Sequence, residues 1–381
     1  MTAPLAGLRI VEFASIGPGP FAGMMFADHG AEVIRIERPG PPSSNREVLH
    51  RSRRSLMVDL KRAEGIGVVK ALTCRADGVI EGLRPGVMER LGLGPDALLA
   101  ENPRLVYGRM TGWGQSGPLA RAAGHDLNYI ALSGALHGMG RSGEAPPPPL
   151  NLVGDFGGGA MLLAFGMLAA MFAARAHGRG QVVDAAITDG SALLMAMFHS
   201  AGGTMNWNGP RGTNPLGGAA PFYDTYETAD GLHVALAAIE PQFFADFLCR
   251  VGLQNDAAFA AQMDTATWLA AKTRLAALFK TRTRADWCAM LEGTDVCFAP
   301  VLSLAEAPGH PHNAARGTFL EAFGITQPAP APRYSESAAV TPTLVPAGTD
   351  TETLLAEAGF TPARIAQLLA DGVVAGPGRA A

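Results

Sequence analysis

Three side chains stand where proton transfer could be done. His125 lies in Gly124-His125-Asp126, at the end of a polar loop and just before the apolar start Leu127–Leu132. A histidine there meets the positive end of a helix dipole, which disfavours an imidazolium. A neutral imidazole is a competent general base near neutral pH. The plain alternative is a loop histidine satisfied by a local backbone bond. Asp155 lies in Gly154-Asp-Phe-Gly-Gly-Gly159, directly before an apolar stretch that reads as a helix from Ala160. As an N-cap, Asp155 needs nothing more. The glycines behind it go further than a cap requires, because glycine weakens a first turn. They would let a ligand approach the amides at the start of the Ala160 helix, where a developing oxyanion could be stabilised. Glu240 stands where a strand turns into a helix opening on Pro241. Carboxyl ends of strands hold site residues in α/β folds, yet from the residues alone an exposed first-turn Glu that favours the dipole is the better reading.

Basic residues recur through the first ninety positions: Arg38, Arg51, Arg53, Arg54, Arg84 and Arg90. Together they suffice to neutralise a pyrophosphate and a 3′-phosphate. Singly, each reads as part of a solvated face. Met161, Met167, Met171, Met195, Met197 and Met205 gather around the central helices, and suit either an irregular apolar ligand or an ordinary core.

The elements that must position these groups follow a βαβ pattern. Leu8–Phe13 reads as a buried strand, Gly17-Pro-Gly-Pro20 as a turn, Phe21–Gly30 as a helix and Glu32–Ile36 as a second strand. Strand, glycine-rich turn, helix and strand make a unit of a parallel sheet. Val79–Ile80 and Leu105–Tyr107 add strands, with helices Gly65–Cys74 and Pro95–Glu101 between them. Four prolines, Pro146–Pro149, exclude helix or central strand. The glycine-rich stretch 202–220 reads as a hinge. Beyond it come a strand, Leu232–Ile239, a helix from Pro241, helices Trp268–Lys280 and Arg284–Leu291, a loop Thr341–Thr351, and a helical pattern Glu352–Ala370.

Composition sets the bounds. Of the 381 residues, 48% are hydrophobic and 17% charged, enough for a sizeable core. The net charge of −4 argues against a nucleic-acid partner. Residues 1–90 carry 13 Lys/Arg against 10 Asp/Glu, so +3 in that stretch stands against −7 in the remainder, which suits a polyanionic small ligand. Cys74, Cys249, Cys288 and Cys297 form no C-x-x-C pair and lie near no histidine at metal spacing. Reduced, mostly buried thiols and no metal are expected. The 15 apolar residues Ala160–Ala174 fall short of a bilayer span of about 20, so no membrane partner is expected. No secretory leader is evident in Met1–Gly7, and the C-terminal Gly-Arg-Ala-Ala is no peroxisomal address, so a cytoplasmic protein is expected.

Leu5-Ala-Gly-Leu-Arg-Ile-Val-Glu12 with Gly17-Pro-Gly-Pro20, then Val58-Asp-Leu-Lys61, Gly82-Leu-Arg84, Gly124-His-Asp126, Gly154-Asp-Phe-Gly157 and Glu240-Pro-Gln-Phe243, occur in one order. In this the chain resembles the α-methylacyl-CoA racemases of the family III CoA-transferase (CaiB/BaiF-type) superfamily. The resemblance implies that His125 and Asp155 exchange the α-proton of a 2-methylacyl-CoA thioester, with Glu240 supporting His125. It implies CoA contacts at Arg38, Val58, Asp59, Leu60, Lys61, Gly82, Leu83, Arg84, Arg90, Gly124, Asp126, Leu127, Asn128 and Tyr129, with no cofactor beyond the CoA of the substrate. The implied fold is α/β: a Rossmann-like large domain over residues 1–200, completed by 330–381, a linker over 201–224 and a smaller α+β domain over 225–320. The implied assembly is an interlocked homodimer with each site between one subunit's large domain and the other's small domain. The opening motif and Asp155 are shared with the transferase branch, where the Asp is a nucleophile that forms acyl anhydrides. His125 and Gly157-Gly-Gly159 discriminate towards the racemase. A CoA-transferase and a non-catalytic CoA-ester binder remain the alternatives.

Overall fold

The computed structural model describes residues 2–40, 47–200 and 209–378. Its main sheet is built from β1 (Arg9–Phe13), β2 (Glu32–Glu37), β3 (Arg53–Val58), β4 (Gly78–Glu81), β5 (Val106–Thr111) and β6 (Val182–Ala186). The order is 3-2-1-4-5-6 and all these neighbours are parallel. A short C-terminal strand, Val374–Ala375, pairs antiparallel at the β3 edge. Alternation with period two sends the strand side chains to two separate cores. Val11, Phe13, Ile34 and Ile36 pack beside Val68, Leu72 and Leu355 on one face. Ile10 and Val33 pack beside Phe26, Leu163, Met167 and Met171 on the other. Helices on both faces of a parallel sheet make a doubly wound layer, whose ligand crevice lies where the strand order reverses. Here that point is between β1 and β4.

β3 was not anticipated. Its Arg-Arg-Ser opening reads as polar, yet Arg53 and Ser55 are buried in the sheet. Glu12 of β1, fully buried, accepts from Arg35 (3.1 Å) and Arg53 (3.0 Å). Arg51 is 1% exposed, held by Asp28 and by Gln327 (2.9 Å each) and the Pro328 carbonyl (2.7 Å). Arg54 is paired with Glu32 and Glu357. Arg51 and Arg53 are therefore bound inside the fold, while Arg54, a quarter exposed, is held by two carboxylates.

The chain divides into two compact units. One takes Met1–Ser133, Pro149–Leu194 and Ala315–Ala381; the other takes Gly134–Pro148 and Met195–Ala314. The proline-rich stretch before Pro149, expected within the large domain, thus belongs with the smaller unit. There Arg141 forms a two-pronged pair with Asp224 (2.6 and 2.7 Å), which ties it down. This unit is built on a three-stranded antiparallel sheet of Tyr223–Glu227, His233–Ala237 and Phe298–Pro300. Phe222, Phe244, Phe247, Phe279 and Trp287 form its core. It also holds a cavity of about 690 Å³ beside Phe198, Leu216 and Tyr223. The start of the expected hinge, with Met205, lies outside the described residues.

Two further expectations are corrected. The apolar run is not a 15-residue helix. Leu152–Met161 is a wider helical turn running straight into Leu162–His177, so the helical run is 26 residues long, with a mean hydropathy of 1.8. By length and composition it could cross a membrane, and 44% of its most apolar window is buried. Met167 and Met171 bury against β4 and β5, where a Cβ on Gly78 or Gly108 would stand 2.5–2.6 Å from their atoms. The opposite face, Met161, Phe165, Leu168 and Phe172, is exposed. The thiols are free but not mostly buried: Cys74 and Cys249 are exposed, Cys288 and Cys297 half-buried.

Candidate active site

A cavity of about 550 Å³ opens beyond the carboxyl ends of β1, β4 and β5, lined among others by Gly17, Arg84, Trp113, His125, Asn151 and Asp155. This is the crevice at the reversal of strand order. Gly17 leaves β1 with φ +70° and opens the helix Pro18–Asp28. A Cβ there would be strained and would stand 2.9 Å from the Asp155 carboxylate, so glycine is what the turn admits. Phe21 of that helix stacks on Phe156 with centroids 4.4 Å apart, which holds the Asp155 turn in place.

His125 is the N-cap of the helix Asp126–Leu132. Its carbonyl accepts from Asn128 N–H (2.8 Å), and its own N–H donates to Asn128 Oδ1 (3.0 Å). The imidazole is exposed towards the cavity. Tyr129 is buried beneath; its hydroxyl donates to the Gly124 carbonyl and its ring meets Trp113 edge-on at 4.7 Å. Gly112 and Gly124 make room for that ring, since a Cβ on either would overlap it.

Asp155 is not the cap of a helix beginning at Ala160. It sits inside the wide turn that starts at Leu152, where Phe156 N–H reaches back five residues to the Asn151 carbonyl (3.2 Å). The Ala160 amide therefore lies within the helix and faces no ligand. The glycines have another use. A Cβ on Gly158 would stand 2.7 Å from the Ser191 backbone, and one on Gly190 would stand 1.8 Å from the Gly158 carbonyl. They let the helix Ile187–Leu194 lie directly on the Asp155 turn. Asp155 is half-buried, with Asn151 Nδ2 3.4 Å from Oδ2. Burial, then the Asp126 charge, push its carboxyl above the usual carboxylate range, against Asn151 and His125. Asp126, itself 9% exposed, accepts the Asp155 N–H through Oδ1 at 2.6 Å.

The positions implied for CoA ring the same carboxyl ends. Arg38 follows β2, lining a second cavity with Ser15 and Met57. Val58 to Lys61 follow β3; Val58 and Leu60 pack into the core, while Asp59 caps the Lys61 amide (2.9 Å). Gly82, Leu83 and Arg84 follow β4, and Gly82 faces Ser15. Arg38, Lys61, Arg84, Arg90 and Leu127 are exposed. Asp126, Asn128 and Tyr129 also bond to the His125–Asp155 segments, with Asn128 exposed and Tyr129 lining the cavity. Glu240 is exposed at the N-cap of the helix Pro241–Arg250, in the smaller unit.

Two curated relatives that match over nearly the whole chain share one name. α-Methylacyl-CoA racemase from Mus musculus is 45% identical over 97% of this chain and 97% of its own length. The enzyme of that name from Homo sapiens is 43% identical over 97% of each. The crystal structure of a CAIB/BAIF family protein from Brucella suis superposes with a TM-score of 0.79 at 26% identity, covering 94% of this chain and all of that one. Residues 5–351 match the model of CoA-transferase family III, and the chain belongs to that family.

Proposed function

We propose that this protein is an isomerase that interconverts (2R)- and (2S)-2-methylacyl-CoA thioesters by proton transfer through an enolate. The observation that carries the reading is the pairing of His125 and Asp155 in one cavity at the sheet's reversal point, each within electrostatic reach of the other. One group removes the α-proton from one face, and the other returns a proton to the opposite face. His125 serves as base for one stereoisomer and Asp155 for the other, so each starts in the complementary protonation state. The raised Asp155 carboxyl suits the donor role. The enolate oxygen needs donors, and the Ala160 amide is enclosed. The first-turn amides of Asp126 and Leu127, beside His125, have no intrahelical acceptor and take that part.

CoA enters as part of the substrate, held along the exposed Arg38, Lys61, Arg84 and Arg90. Glu240 orients His125 across an interlocked homodimer, and the exposed Met161–Phe172 stripe is covered in that assembly. The enzyme works in the cytoplasm.

Incubation with a panel of 2-methylacyl-CoA esters in heavy water, read by mass spectrometry, should give α-deuteration with loss of stereochemical purity. His125→Ala and Asp155→Ala should each lose most of it. Near wild-type exchange in either variant would sink the two-base scheme. A new CoA ester formed from an added free acid would favour acyl transfer through Asp155 instead.

A further inference from the structure

The resemblance implies Asp126 among the CoA contacts, and its side chain makes a further contact of its own. It opens the helix capped by His125 and is buried to 9% exposure. Oδ1 accepts the Asp155 N–H at 2.6 Å, and the Gly154 amide also stabilises its charge. Gly154 has no room for a side chain, because a Cβ there would stand 2.2 Å from Oδ1. Oδ2 is buried and has no partner among the described residues. A cap requires one oxygen; a second, buried and unpartnered, is costly for packing alone.

Resting on the reading of Asp155 as half of the acid–base pair, we propose that Asp126 is the positioning residue of this site: its carboxylate pins the backbone at Asp155, and its charge keeps a proton on the Asp155 side chain. A carboxylate seated on the Asp155 amide opposes a second negative charge on the Asp155 side chain. Asp126 takes the backbone donors and the positive ends of two helix starts, which favour its anion. The Asp155 side chain accepts from Asn151 Nδ2 at a long 3.4 Å. Burial lifts both carboxyls above the ordinary aspartate value; the amides counter it at Asp126, whereas at Asp155 the Asp126 charge adds to it. The other charged or titratable groups facing Asp155 are His125 and Tyr129 on the Asp126 helix, with Arg84 across the cavity. The Pro18 helix presents Gly17, Pro18 and Phe21, which do not titrate. On the Ile187 helix Asp189 is exposed.

The discriminating variant is Asp126→Asn, which keeps an acceptor for the amides and removes the charge. Its bell-shaped pH profile for α-proton exchange should move to lower pH on both limbs, the acid limb by about one unit, with the thermal midpoint near that of wild type. A folded variant with unmoved limbs would overturn the charge role and leave Asp126 a cap. A second measurement works without activity: carboxyl carbon-13 titration of wild-type protein labelled at aspartate Cγ, with the Asp155 signal assigned through Asp155→Asn. Asp155 should titrate above the usual carboxylate range in wild type. An ordinary midpoint of about 4 would overturn the proposal even if Asp126→Asn did not fold. Absence of exchange with every 2-methylacyl-CoA would instead sink the racemase reading, while the carboxyl titration would still decide the role of Asp126.

Discussion

Replacing Arg51 by methionine separates a phosphate-binding arginine from a buried structural one. The guanidinium is 2% exposed in its side chain, Asp28 4%. It joins the end of the Pro18 helix to the hairpin strand Ile325–Pro328 through Asp28, Gln327 and the Pro328 carbonyl. Methionine fills most of the volume but strands the Asp28 carboxylate and Gln327 Oε1 without partners. Removing one member of a buried pair costs about 3–5 kcal/mol. At about 2–4 °C per kcal/mol for a unit of this size, the thermal midpoint should fall by about 6–20 °C. The protein that remains folded should keep its KM for an acyl-CoA ester. Asp28→Leu combined with Arg51→Met should recover most of the lost midpoint, since no charge is then left buried. Arg84→Ala should do the reverse: a midpoint within about 2 °C of wild type and a raised KM. Scanning calorimetry beside initial-rate kinetics reads both quantities. An Arg51→Met protein with an unchanged midpoint and a raised KM would refute the reasoning and return Arg51 to the substrate.

His50 is held down to about 3 by burial and by Arg35 and Arg53, against an ordinary 6.5. Between those values the unfolded chain binds a proton that the folded chain does not, so stability should fall as pH drops below about 6.5. His50→Gln should flatten that slope in urea midpoints, and an unchanged slope would count against it. Gly190→Ala places a methyl 1.8 Å from the Gly158 carbonyl. It should cost about 1–3 kcal/mol and most of the α-exchange, because the Asp155 turn must move; normal exchange would contradict the close helix contact. Phe165→Glu with Phe172→Glu, both more than 70% exposed, should leave a monomer in sedimentation, and an unaltered dimer would place the interface elsewhere.

Much of the sheet was legible because apolar alternation marks it. β1 and β2 match their expected bounds within one residue, and Pro95–Glu101 and Arg284–Leu291 match at both ends. β3 was hidden because the groups that make Arg53 and Ser55 buriable, Glu12 and Glu37, lie on other strands. The expected helix Glu352–Ala370 is two, broken where Gly359 takes φ +96° and Pro362 starts afresh. His125 was legible from a polar loop meeting an apolar start. The place of Asp126 was not, since its contact with Asp155 spans 29 residues and exists only once both helices are packed. The glycines after Asp155 misled for a simple reason: a missing side chain looks the same whether the neighbour is a ligand or another helix.

The contest between proton transfer and acyl transfer turns on those amides. A carboxylate that attacks a thioester must be ionised, whereas one that hands over a proton must hold it. A helix start ordinarily offers its free N–H groups to the nearest carboxylate and favours the anion. Here the amide of Asp155 is taken by Asp126. The dipole that would have made Asp155 a better anion is spent on its neighbour, whose charge then opposes ionisation of Asp155. With His125 across the same cavity to take or return the proton, this arrangement favours a neutral acid over a nucleophile. Asp126 thus bears on which of the two chemistries the scaffold performs.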